Sequence, residues 1–302
     1  MDNPQTESKT NLLSIFKGYL LALWGILFLM IVFFFFGDKI LSESYYLNTS
    51  AFLTKTFDTN FFVYCMVGFF AQVIDGSLGM AYGVSSTSFL LSTGVSPAVA
   101  SASVHVAEVF TTGASGFSHW KFGNIDKKLF LKLLLPGSIG AAIGAFLLTS
   151  IYGNDIKPFV SIYLGVMGII IIIKAFKKVI LFKDHGRVSL LALIGGFVDN
   201  IGGGGWGPVV TTTLISSGGI PRYTVGSVNA AEFFVSLTGA TVFTITIGID
   251  HWNIIAGLIA GGLIAAPVGA FLCSRINPKI LMIIVGVLIV FLSIRTVFLS
   301  VI

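Results

Sequence analysis

The chain has 302 residues, of which 55% are hydrophobic and 10% charged, with a mean hydropathy of +0.95. Soluble domains carry about 25% charged residues, so this composition excludes a soluble globular protein and indicates a polytopic membrane protein. The net charge of +5 and pI near 9.2 come from basic residues gathered in a few short segments. That is the positive-inside pattern of membrane proteins rather than a nucleic-acid-binding surface.

In chain order, residues 1–17 read as a polar tail. Gly18 to Gly37 is uncharged and meets the requirement of roughly 20 apolar residues for a span. No small-residue cleavage site follows it, so it is expected to be retained as an extra N-terminal span. Asp38 to Asn60 reads as a polar loop, and its sequon Asn48-Thr49-Ser50 as a chance match. Two repeat halves follow, 61–176 and 188–302, joined by a basic loop at 177–187. Simple spans are expected at 96–119, 128–150 and 158–175, then at 222–247, 252–274 and 278–299. Cys65 and Cys273 both lie in apolar runs, which leaves no disulfide framework and no Cys-based zinc site.

The halves are copies. Laying Asp199 on Asp75 puts Gly203 on Gly79, Gly207 on Gly83, Gly218 on Gly94, Pro221 on Pro97 and Glu232 on Glu108, without a shift. One inserted residue later, "AAPVGAFLC" matches "GAAIGAFLL"; further on "VGVLIVFLSIR" resembles "LGVMGIIIIIK", which places Arg295 on Lys174. Such internal repetition outranks any local motif. Each copy opens with about 30 residues broken near the middle by glycines, too long for one span and too short for two. At membrane depth, broken backbone survives only against protein or a wet cavity. Each opening segment is therefore a discontinuous helix or a re-entrant pair of half-helices. Placing Lys174, Lys177, Lys178, Lys183 and Arg187 in the cytoplasm favours the returning option. Each half then has three full crossings, the repeats are inverted, and the N-terminus is cytoplasmic. The expected fold is an all-α polytopic protein of the plasma (inner) membrane with the substrate site between the repeats.

Two sets of residues carry chemistry. The half-helices are expected to start near Val84 and Val209, with Pro208 at a first helical position. Helix N-termini bind anions through free N–H groups and a partial positive charge. Gly79, Gly83, Ser85 and Ser86 with Gly203, Gly204, Gly205, Gly207, Thr211 and Thr212 would form a neutral cradle for a small oxyanion. The second set is intramembrane and polar. Glu108 and Glu232 lie mid-span, where a carboxylate marks function by default. His105 and Asn229 stand three residues earlier on the same helical faces, and a His105–Glu108 pair could exchange a proton near neutral pH. Asp75 and Asp199 precede each break, as coupling-ion ligands or as turn residues. Gly202, Gly204 and Gly207 fit G-x-G-x-x-G but lack the strand–turn–helix context. No lysine follows either glycine cluster, so a phosphate-binding loop is excluded as well. No cofactor and no metal are expected.

The duplicated glycine-rich break, the Gly-x-x-Pro turns at Gly94 and Gly218, and the polar helix after each resemble the sulfite exporter TauE/SafE family, from Phe61 to the C-terminus. The resemblance implies secondary transport of sulfite, a sulfonate or a related small anion, coupled to protons or Na⁺. An anion channel is the alternative. An intramembrane metal enzyme is a weaker one, because a single central histidine and no H-E-x-x-H make a poor ligand set. A homo-oligomer in the bilayer is compatible with the sequence.

Overall fold

The computed structural model describes residues 43–121, 123–151, 153–176, 187–273 and 278–301. The expected first span lies outside them, as does most of the basic loop. The chain divides at Asp58 into two units. In the first, the expected polar loop is a helix, α1 (Glu43–Thr56). No Gly or Pro interrupts it, and its hydroxyls bond back into the helix: Ser50 donates to the Leu47 carbonyl at 3.0 Å and Thr54 to Ser50 at 2.8 Å. The sequon lies within this helix.

The second unit is all helical among the described residues. It runs α2 (Thr59–Leu78), α3 (Tyr82–Ser92), α4 (Pro97–Lys121), α5 (Lys127–Ser150), a 3₁₀ turn (Gly153–Ile156), α6 (Lys157–Phe176), α7 (Val188–Gly202), a π-helical turn (Gly207–Thr211), α8 (Thr212–Ser216), α9 (Pro221–Ile247), α10 (Trp252–Cys273) and α11 (Pro278–Val301). Helices α5, α6, α9 and α11 are long and apolar enough to cross a membrane. The expected spans agree with the observed helices within a few residues, because Pro starts α4, α9 and α11 and Asp126 caps α5 through the backbone N–H groups of Lys128 and Leu129.

Packing is interlaced. Helix α2 lies on α10, and α7 lies on α5, while α4 pairs with α9 and α6 with α11. Small residues set these contacts. A Cβ on Gly196 would overlap the Gly137 carbonyl, and one on Gly261 the Cys65 carbonyl. Lipid supplies no hydrophobic drive between helices, so close backbone approach of this kind holds them. Helices α5 and α7 run in the same direction, since Ser189 donates to the Lys132 carbonyl near their starts and Gly144 meets Phe197 further along. At the start of α9, Arg222 donates to the Asn124 side chain and Ser227 accepts from the Asp126 N–H at 2.8 Å. Both ends of the segment from α7 to α8 thus lie beside the start of α5.

Candidate functional site

Each glycine break is a tip held by its own acid. Gly79 and Gly203 have φ of 66° and 69°, a left-handed conformation that glycine adopts without a Cβ clash. Asp199 Oδ1 then accepts the Trp206 backbone N–H at 2.9 Å. In the first copy the Asp75 carboxylate accepts the backbone N–H of Tyr82, the matching residue. Each half-helix N-terminus is therefore already matched with a carboxylate from seven residues upstream. The half-helices also begin two residues earlier than expected, at Tyr82 and Gly207, so that the acid-bonded residue is the first of its helix at Tyr82 and the N-cap at Trp206.

The two tips cross. A Cβ on Gly83 would stand 2.8 Å from Gly204 Cα and 2.9 Å from Glu108 Oε1, and one on Gly207 would stand 2.8 Å from Met80 Cα. Thr87 donates to the Gly203 carbonyl, and Tyr163 donates to the Gly204 carbonyl at 2.8 Å. Sulfur, methyl or hydroxyl side chains at these glycines would keep the backbones apart.

Beside the crossing lie the polar residues of α4. The His105 ring is fully buried. Its Nδ1 is 2.8 Å from the Ser101 carbonyl, which can only accept, so Nδ1 carries a proton. Its Nε2 is 3.1 Å from Asp199 Oδ2. A lone pair facing a carboxylate would repel it, so that contact also requires a proton, carried by imidazolium or by carboxylic acid. Ser101 donates to the Asn200 carbonyl at 2.8 Å and fixes the α4–α7 register. Glu108 is buried as well, and its Oε2 accepts from Ser236 of α9 at 3.2 Å. Ligand atoms of His105, Glu108 and Asp199 all lie within 4.8 Å of one another. One nitrogen and two carboxylates at that spacing can share a proton or a small cation.

The structure redistributes the expected roles. It brings Glu108, His105, Asp199 and both glycine tips together, but His105 bonds to Asp199 across the two halves rather than to Glu108, because a turn of α4 directs the ring toward α7. Asn229 points away from the acids, donating to Ser115 of α4 at 2.9 Å. Glu232 is half-buried on α9. Of the expected cradle hydroxyls, Ser85 is consumed by the Ala81 carbonyl at 2.6 Å and Thr212 by the Pro208 carbonyl. Ser86 and Thr211 are buried without a hydrogen-bond partner. Gly79 packs on the Val225 side chain and Gly205 on the Tyr163 hydroxyl, so neither opens onto free space.

Sequence reasoning missed Thr87, Tyr163 and Lys174 as site residues. Lys174 was assigned to the basic loop; it closes α6, and its Nζ donates to the Pro208 carbonyl at 2.9 Å and to the Thr212 hydroxyl. Arg295 correspondingly donates to the Ser92 carbonyl at the end of α3. The alignment of Lys174 with Arg295 was the available signal: each cation ends on the second half-helix of the opposite copy.

Two glycine tips crossing against buried carboxylates, packed among helices long enough to span a bilayer, describe a membrane transporter. The chain belongs to the sulfite exporter TauE/SafE family, whose model matches residues 64–296. It is similar to a protein of Bacillus subtilis (strain 168) described as "Probable membrane transporter protein YtnM", with 45% identity over 244 residues that cover 78% of this chain and 81% of the relative. No solved structure matches it.

Proposed function

We propose that the protein is a secondary transporter of a small oxyanion, of the sulfite or sulfonate type, coupled to a proton or Na⁺ at the crossing of the two tips. The contact that carries this reading is His105 Nε2 to Asp199 Oδ2, which needs a proton or an equivalent cation to persist. It joins α4 of one half to α7 of the other, so loading and unloading that cation bears directly on how the halves hold together. Four acids, Asp75, Glu108, Asp199 and Glu232, surround the tips and disfavour an anion while charged. Cation loading removes that repulsion, which makes coupling a requirement rather than an addition. Ser86 and Thr211, buried without a partner in the half-helices beside the tips, would donate to the anion.

The start of α7 and the start of α9 meet the same end of α5, which supports a re-entrant hairpin in the second half. Together with the interlaced pairing, it supports inverted repeats whose tips meet at the midplane. In this arrangement the protein sits in the plasma membrane with loop 177–187 and the N-terminus in the cytoplasm.

The test is uptake of labelled sulfite and a short-chain sulfonate into proteoliposomes, with imposed pH or Na⁺ gradients. Saturable uptake driven uphill by one gradient, and lost in Asp199→Asn, is the expected result. Movement only down the anion's own gradient would make the protein a channel. Uptake indifferent to both cations would overturn the coupling.

A further inference from the structure

A second recess lies away from the tips, on the lipid-facing side of α4, α5 and α9. It is a groove of about 570 Å³ floored by Gly113 and Gly116 of α4 and walled by Phe130 and Leu131 of α5 and Phe233 and Phe234 of α9. The small floor residues let α4 and α9 approach closely: a Cβ on Gly116 would stand 3.1 Å from Ala230 Cα. Its rim is wide open, with Trp120 64% and Leu131 62% exposed. An apolar trough on a bilayer-facing surface fits an acyl chain, and a tryptophan at its mouth suits the interface where chain meets headgroup.

One end of the groove is cationic. Lys127 lines it, and Lys121 holds its ammonium 4.7 Å from the centre of the Phe117 ring, which also lines it. Lys128 and Arg222 belong to the same end of the bundle. The acid of this loop, Asp126, is exposed and its Oδ1 caps α5 through the Lys128 and Leu129 N–H groups, so it offsets one of these four cations and leaves this end of the groove net basic. Basic pockets between transmembrane helices select anionic headgroups, and each lysine near the membrane surface strengthens that attraction roughly fivefold.

We propose that this groove is a binding site for one anionic diacyl phospholipid, its chain along Gly113 and Gly116 and its phosphate between Lys121 and Lys127. The site shares no residue with the His105–Asp199 contact, so it stands apart from the transport reading.

The full chain in phosphatidylcholine vesicles receives dibrominated phosphatidylglycerol or dibrominated phosphatidylcholine at rising mole fraction. Tryptophan quenching is followed, and the share due to Trp120 is the part missing in Trp120→Phe. Half-maximal quenching is expected at a tenfold or more lower fraction of phosphatidylglycerol than of phosphatidylcholine. Lys121→Gln and Lys127→Gln should each erase roughly fivefold of that preference, with circular dichroism unchanged. Soluble glycerol phosphate should not compete. Equal quenching by both lipids, a preference that survives the double lysine variant, or competition by glycerol phosphate would overturn the assignment.

Discussion

The two glycine tips share one backbone plan and differ in how much of it is finished. In the first, Thr87 is bonded to the Gly203 carbonyl, whereas its counterpart Thr211 in the second has no partner. The first leads into a regular α-helix; the second starts with a π-helical turn at Gly207–Thr211, a feature common at functional sites. The helix after the first carries His105, and the helix after the second carries Asn229, which has turned to Ser115. The two copies differ in that the ionisable contact lies on α4, while at matched threonine positions only Thr211 of the second tip is left without a partner.

The comparison can be broken most forcefully at the crossing. Gly204 has φ of 155°, and a Cβ there would overlap Val84 N. Gly204→Ala should therefore lose ~3 kcal/mol or more of stability, seen as a collapsed melting temperature in detergent. Gly94→Ala, in an open turn with no neighbour within 4 Å, should lose about 1 kcal/mol. Next is the cation contact. His105→Asn makes the first copy resemble the second and strands a buried carboxylate, at a cost of roughly 3–5 kcal/mol. Gradient-driven uptake should vanish in it even at temperatures where the variant remains folded, whereas Asn229→Ala should keep gradient dependence. A smaller and more diagnostic effect separates the threonines. Thr87→Val should destabilise by about 1–2 kcal/mol by leaving the Gly203 carbonyl unpaired. Thr211→Val should leave the melting temperature nearly unchanged while raising the KM for the anion. The reverse outcome would place the anion at the first tip. Least of all, Ala81 holds φ of 90° without being glycine, so Ala81→Gly should stabilise the first tip by roughly 1 kcal/mol, measured by the same melt.

The helices were legible in the sequence because length and apolarity decide them at membrane depth, and Pro97, Pro221 and Pro278 mark where they begin. The shared register of Asp75 and Glu108 with Asp199 and Glu232 is visible in the sequence, and the structure gives both breaks a left-handed glycine at the matching position. Side-chain partners were not. Spacing along α4 puts His105 and Glu108 on a common face, but whether His105 turns to Glu108 or to Asp199 depends on how α7 lies against α4, a tertiary fact with no local trace. Helix α1 was missed for a different reason: its polar side chains were read as loop-forming, and their bonds back to the helix's own carbonyls are invisible to composition. Lys174 was misread because a charge near a basic loop is ordinarily solvated, and only the neighbouring tip shows that it is used.

The interlacing of α2 with α10 has a consequence for how the protein is made. When a ribosome has delivered residues up to Phe176, α2 and the first tip are already in the membrane, yet the helix that covers Gly68 has not been synthesised. The face of α2 at Gly68 must wait uncovered until roughly a hundred further residues emerge. Assembly is thus a single late event. A chain terminated after α6 should be degraded rather than persist as a half-sized product, and supplying 188–302 as a separate polypeptide should rescue it.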